Sequence, residues 1–128
     1  NFATTMLRLA AARETVSVVD DQVGQPTWTA DLARKIVAVV EADAPAGVYH
    51  ATSGGRTSWY GFARAIFEEA GLDPERVLAT TSADFVCPAP RPAWSVLGHD
   101  AWGRTGIAPI RDWREALAAA ATAGVLAP

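Results

Sequence analysis

Val16-Ser17-Val18-Val19-Asp20-Asp21-Gln22-Val23-Gly24-Gln25-Pro26-Thr27 is the stretch on which the fold turns. Valine dominates its first four residues, and β-branched side chains favour extended backbone, so 16–19 reads as a short strand. Asp20 to Pro26 is rich in residues that interrupt regular structure and reads as a loop. Thr29 then reads as an N-cap, and Leu32, Ile36, Val39 and Val40 give residues 30–42 an apolar helical face. A strand, a polar loop and an amphipathic helix in direct succession describe an α/β protein.

The same pattern extends in both directions. Upstream, Phe2, Met6, Leu7, Leu9 and Ala10 recur at helical spacing through residues 1–13, with Asn1 placed to cap them. Downstream, Pro45 and Gly47 end the second helix, and Gly47-Val48-Tyr49-His50-Ala51 reads as a second strand. Thr57 or Ser58 caps a helix to about residue 70, with Trp59, Phe62, Ala63, Ile66 and Phe67 inward and Gly71 as its stop. Residues 76–80 suggest a third short strand. Residues 82–95, with Pro88, Pro90 and Pro92, are irregular, and long irregular segments are often binding segments. A short strand and a helical turn are expected within 94–103. Asp112 caps a last helix through Trp113, Leu117 and Ala120 to about residue 123. The expectation is one α/β domain over residues 1–128, of about four helices and a small sheet of short strands.

Composition narrows the function. With 128 residues, half of them apolar, the chain is long enough to fold around a core without disulfides or metal. A formal net charge of −3 and no basic run remove the usual electrostatic footprint of a nucleic-acid binder. One cysteine, Cys87, excludes an internal disulfide framework and multi-cysteine zinc sites, and it reads as a small packed residue. Apolar runs are too short to span a membrane, and no signal-peptide pattern opens the chain. A cytoplasmic setting fits these features. The chain opens on Asn1, already inside a helical pattern, which suggests a piece of a longer protein.

The residues offer little self-contained catalysis. His50 and His99 are the only imidazoles, and no Gly-x-Ser-x-Gly elbow accompanies them. His50 reads as a structural or polar contact and His99 as solvated. The two lack metal-binding spacing, and Asp20-Asp21 reads as a solvated loop end. Gly54-Gly55 before a helix start fits neither dinucleotide nor P-loop spacing and reads as a tight turn. The polar loops are more informative. Gln22 and Thr27 carry neutral hydrogen-bonding groups suited to sugar hydroxyls or a base edge. Arg91 lies among prolines that restrict the backbone, and its guanidinium is equally suited to a phosphate or to a surface salt bridge. Trp28, Trp59, Trp94, Trp102 and Trp113 read mostly as packing residues; one of them could stack on a base or sugar, and spacing does not say which.

These loops carry a family resemblance. The segment from Val18 to Thr27, followed by Asp31-Leu32-Ala33, resembles the carboxy-terminal part of the dTDP-4-dehydrorhamnose reductases, which are extended short-chain dehydrogenases/reductases. Further blocks follow in the family's order: Asn1-Phe2 with Thr5-Met6-Leu7; Gly47-Val48-Tyr49-His50 before Thr57-Ser58-Trp59-Tyr60-Gly61-Phe62-Ala63; Arg91-Pro92-Ala93-Trp94-Ser95-Val96-Leu97; and Trp113 with Leu117. The resemblance covers nearly the whole chain. It implies the substrate-binding lobe of an NAD(P)H-dependent enzyme that reduces a 4-keto sugar nucleotide to make dTDP-L-rhamnose.

The family's amino-terminal Rossmann half, with its Gly-x-x-Gly-x-x-Gly fingerprint and Tyr-x-x-x-Lys pair, has no counterpart here. Lys35 is the sole lysine and residue 31 is Asp, while Tyr49 and Tyr60 are followed four residues on by Ser53 and Arg64. The lobe is therefore expected to be inactive alone and to bind no cofactor, with NADPH or NADH serving the full-length protein. By resemblance Asn1 and Arg91 approach the substrate diphosphate, and Gln22 and Gly24 lie near the nucleotide. Expected partners are a dTDP-sugar and the Rossmann half. The surface that would face that half leaves self-association open. Two other readings stand beside this one: a non-catalytic regulatory subunit similar to that of methionine adenosyltransferase, and the lobe of another sugar-nucleotide reductase or epimerase. The complete Asp21-Gln22-x-Gly24-x-Pro26-Thr27 pattern favours the reductase.

Overall fold

The computed structural model describes residues 1–84 and 89–126, so Cys87 lies outside the described residues. Among the described residues four α-helices carry the fold: α1 (Phe2–Ala12), α2 (Thr29–Glu41), α3 (Trp59–Glu69) and α4 (Trp113–Thr122). Four short strands accompany them: β1 (Val16–Val19), β2 (Val23–Gly24), β3 (Thr57–Ser58) and β4 (Val77–Thr80). They form two two-stranded sheets. β1 and β4 are parallel, with Val16 opposite Val77, and β2 and β3 are antiparallel, with Val23 opposite Ser58. Among the described residues no helix is long and apolar enough to cross a membrane. The expected α/β class, four helices and short strands are all present.

Helix α3 is the centre of the core. Its Ala63, Ile66 and Phe67 have no exposed surface, and they pack against Met6 and Leu7 of α1, Val16 and Val18 of β1, Val77 of β4 and Leu117 of α4. Arg76 closes the far end. Its guanidinium donates to the carbonyls of Ala10, Arg13 and Glu14 at 2.6–2.8 Å, answering groups that α1 leaves unbonded at its carboxy end.

The helix starts follow local chemistry. Asn1 Oδ1 accepts from the Thr4 amide at 3.0 Å, Ser58 Oγ from the Gly61 amide at 3.0 Å, and Asp112 Oδ1 from the Arg114 amide at 2.8 Å. α2 departs from expectation. Thr29 is already helical, and Trp28 occupies the cap position without a side-chain cap bond. Of the expected apolar face, Ile36 and Val40 are 56% and 75% exposed, and the residue α2 buries is Asp31. The Arg111 guanidinium grips that carboxylate through two bonds of 2.7 and 3.0 Å, and Arg34 also donates to it. Both guanidinium groups also stand over the Trp28 ring, Arg34 at 5.6 Å and Arg111 at 5.9 Å from its centroid. An ion-paired anchor, not an apolar stripe, thus fixes the start of α2.

The strand expected at 47–51 is absent. Val48 is 79% exposed, and the segment is held by side chains: Trp102 Nε1 donates to the His50 carbonyl at 2.9 Å, and the Tyr49 and Trp102 rings meet at 5.1 Å. With a side chain taking the His50 carbonyl, this segment is tied down without a β ladder. The helical turn expected within 94–103 is a 3₁₀ turn at Asp100–Arg104, and the strand there reduces to a bridge at Trp94.

Candidate functional site

β2 builds the site by recruiting a neighbour far away in sequence. The Val23 amide donates to the Ala93 carbonyl and the Ser95 amide donates to the Val23 carbonyl, both at 2.9 Å. Residues 93–95 thereby lie parallel to β2 on the side opposite β3, as a third extended segment. Gly24 is what admits them. A β-carbon there would stand 2.9 Å from Ser95 Oγ, which donates to the Val23 carbonyl at 3.1 Å. Gln25 adds a bracket: its Oε1 accepts from the Leu97 amide at 2.8 Å and from Thr52 Oγ1 at 2.9 Å. Since the Thr52 proton goes to Gln25, the His99 Nε2 found 2.8 Å from Thr52 Oγ1 carries a proton and donates it. His99, expected to be solvated, is half-buried for this reason. His50 has the expected polar contact, with Nδ1 at 3.1 Å from the Gly98 carbonyl.

This stitching encloses an open cleft of about 570 Å³, within the usual range for small-molecule sites. Asn1, Gln22, Gly24 and Arg91 all line it. Their environments differ. Arg91 is exposed, makes no ion pair among the described residues, and sits between Pro90 and Pro92, which restrict its backbone on both sides. Asn1 spends its side-chain oxygen on the α1 cap, so its amide nitrogen is the group suited to an anion. Gln22 donates from Nε2 to Ser82 Oγ at 2.7 Å, and Ser82 is itself held by Asp21. Those bonds from Ser82 hold the Asp21 carboxyl below its ordinary range. Thr27, considered for ligand contacts, is used internally: its hydroxyl donates to the Gln25 carbonyl and accepts from the Ser53 amide, each at 3.0 Å.

An aromatic row forms one wall. Trp59 meets Phe2 at 4.7 Å, Phe2 stacks on Phe62 at 5.5 Å, and Phe62 meets the Trp113 ring edge-on at 6.0 Å. All four rings line the cleft, and Trp59 is the most exposed of them at 41%. Sequence spacing placed Trp59 among packing residues; its partial exposure on a cleft wall is a property of the fold.

Among the described residues the parallel pair does not lead into a dinucleotide-binding turn. β1 runs into Asp20-Asp21 and β4 into Thr81-Ser82-Ala83-Asp84, with no glycine-rich turn into a helix. Thr80 and Thr81 hydroxyls donate to Asp84 and hold its carboxyl low, so these strand ends present carboxylates. Among the described residues no cluster of His, Cys, Asp and Glu could hold a metal ion.

Comparison with known proteins agrees with this architecture. The chain is 51% identical over 117 residues to a probable dTDP-4,6-dihydroxy-2-methyloxan-3-one 4-ketoreductase of Streptomyces antibioticus, covering 91% of this chain and 40% of that protein. It is 47% identical over 123 residues to a dTDP-4-dehydrorhamnose reductase of Mycobacterium tuberculosis, covering 96% of this chain and again 40% of the relative. The chain thus spans about two-fifths of the length of these curated relatives. A crystal structure of a dTDP-4-dehydrorhamnose reductase from Clostridium acetobutylicum superposes with a TM-score of 0.87 at 39% identity, over 93% of this chain and 42% of that one. The Bacillus anthracis reductase, solved in complex with NADP, superposes at 0.85 with 37% identity, over 91% of this chain and 41% of that one. The model of the RmlD substrate binding domain matches residues 1–125, and the chain belongs to that family.

Proposed function

We propose that this chain is the substrate-holding part of an NAD(P)H-dependent reductase acting on a dTDP-linked 4-keto-6-deoxy sugar, with dTDP-4-dehydrorhamnose as the leading substrate. The observation that carries the reading is convergence: Asn1, Gln22, Gly24 and Arg91, drawn from three distant segments, line one cleft beside an aromatic wall. Arg91 supplies a guanidinium for the diphosphate, where a charge-assisted bidentate contact is strong and directional. The reductase names among relatives at up to 52% identity support this reading over a regulatory subunit.

The division of labour follows from the residues. NAD(P)H would supply hydride in the complete enzyme, and a tyrosine–lysine pair the proton; neither tyrosine here is followed four residues on by lysine. This chain holds and orients the sugar nucleotide. The test is NADPH oxidation with a dTDP-4-keto-6-deoxy sugar. The intact natural protein should turn over and the 128-residue chain should not. Arg91→Ala in the intact protein should weaken dTDP binding by about tenfold or more, from the roughly 1.5–3 kcal/mol of a charged hydrogen bond. Turnover by the 128-residue chain alone, or unchanged dTDP affinity in R91A, would sink the respective half of the reading.

A further inference from the structure

Trp59 is a cleft residue that neither the core nor the helix start requires in its position. α3 buries Ala63, Ile66 and Phe67, and its cap is made by Ser58. The indole instead stands at the exposed end of the aromatic row, with Phe2 against it at 4.7 Å. Its backbone is fixed from two sides. The Trp59 amide bonds the Gln22 carbonyl at 3.3 Å, and the preceding Ser58 hydroxyl donates to Asp20 Oδ1 at 2.5 Å. A large flat π-surface, held in place and left partly bare on a cleft wall, is suited to stacking on a planar ring.

We propose that Trp59 is the stacking platform for the pyrimidine base of the nucleotide. This rests on the reading of the cleft as a sugar-nucleotide site and names the residue that takes the base. The choice between the ligand's two ends follows from the reaction. The keto carbon of the hexose has to meet a hydride donor that this cleft does not supply, so the hexose points out of it. The base is the end that remains, and the apolar wall with its bare indole matches a base face better than the diphosphate. Arg91 on the same cleft takes the diphosphate between them.

The experiment measures dTDP and inorganic pyrophosphate binding by calorimetry in the intact natural protein, for wild type, Trp59→Leu, Trp59→Phe and Arg91→Ala. Base stacking is worth roughly five- to a hundred-and-fiftyfold in affinity. W59L should therefore weaken dTDP by about fivefold or more with pyrophosphate unchanged, and W59F should stay within about threefold for both. Equal losses for dTDP and pyrophosphate in W59L would make Trp59 a framework residue and overturn the proposal. Unchanged dTDP affinity in W59L beside a loss in R91A would overturn it while leaving the site reading intact. Failure of the wild type to bind dTDP would overturn both. Should W59L not fold, W59F decides through tryptophan fluorescence: dTDP should quench the wild type more than W59F, and undiminished quenching in W59F would place the base on another indole and overturn the proposal.

Discussion

Gly24→Ala should change sign with the residue at position 95. The backbone at Gly24 does not have positive φ, so alanine is conformationally permitted there. Replacing a glycine in such a place stabilises by about 0.4–1 kcal/mol through the unfolded chain. The obstacle is a single atom. A new β-carbon would meet Ser95 Oγ at 2.9 Å and nothing else within 4 Å beyond its chain neighbours. Ser95 can relieve that contact by rotating, which breaks its 3.1 Å bond to the Val23 carbonyl at about 0.5–1.5 kcal/mol, or by moving its strand, as overpacking at roughly 1–3 kcal/mol. G24A alone should therefore destabilise by about 1 kcal/mol and weaken dTDP binding, because residues 93–95 carry Arg91 just ahead of them. In a Ser95→Ala background the obstructing atom is gone, and G24A should be neutral or stabilising by up to about 1 kcal/mol. Urea unfolding of the four proteins gives the cycle directly, with an expected coupling of about 1–2 kcal/mol. Additivity within about 0.3 kcal/mol would refute the argument, because the two residues would then not compete for the same space.

The ion pair at the start of α2 makes a pH prediction. Arg111, and to a lesser degree Arg34, hold the Asp31 carboxyl below its ordinary range. A depressed folded pKa gives stability that is present above the unfolded value of about 3.9 and lost as pH falls through the folded one. Asp31→Asn should cost about 1–3 kcal/mol at pH 7 in denaturant titrations. That is less than a fully buried pair, since Arg111 and Arg34 are 37% and 62% exposed. The gap to wild type should narrow below about pH 4, and a pH-independent gap would show that the bidentate bond is not its source. Gly55→Ala should cost about 2–3 kcal/mol. Alanine is strained at φ +70°, and its β-carbon would displace the Asp112 carboxylate that caps α4. Thermal unfolding checks this, and a Tm within a degree or so of wild type would contradict it.

What the sequence discloses here is what local chemistry decides. The starts of α1, α3 and α4 are readable because Asn1, Ser58 and Asp112 bond amides within three residues of themselves. The strand at 16–19 is readable because Val16 and Val18 point into the core on one face. The failures at 47–51 and at Thr29 have the opposite character, because distant groups decide them: Trp102 takes the His50 carbonyl, and Arg111 grips Asp31. The site divides in the same way. Arg91 and Asn1 were found through resemblance, and the fold brings both to the cleft. The bracketing role of Gln25 is not legible in the sequence, since its partner Leu97 lies 72 positions away and nothing near Gln25 announces it. Trp59 reads as packing in the sequence because spacing cannot separate a buried ring from one at the bare end of a row.

A cleft flanked by sheets of only two strands each needs another source of rigidity, and its position shows where that comes from. Residues 93–95 are bonded to β2, β2 to β3, and β3 runs without a break into α3, the most deeply buried element. Gly54 is bonded in both directions to residues 111 and 113, which ties the start of α4 to the same loop. Gln22, Gly24 and Arg91 thus lie within a few residues and two ladders of α3, whose Ala63, Ile66 and Phe67 are fully buried. The contacts themselves remain on exposed or half-buried side chains. That arrangement suits a large, flexible, charged ligand, because the protein groups lose little freedom on binding and the ordering cost falls mainly on the ligand. It also explains why prolines flank Arg91: beyond the last ladder bond at Ala93, restricted backbone torsions do the work that hydrogen bonds do elsewhere.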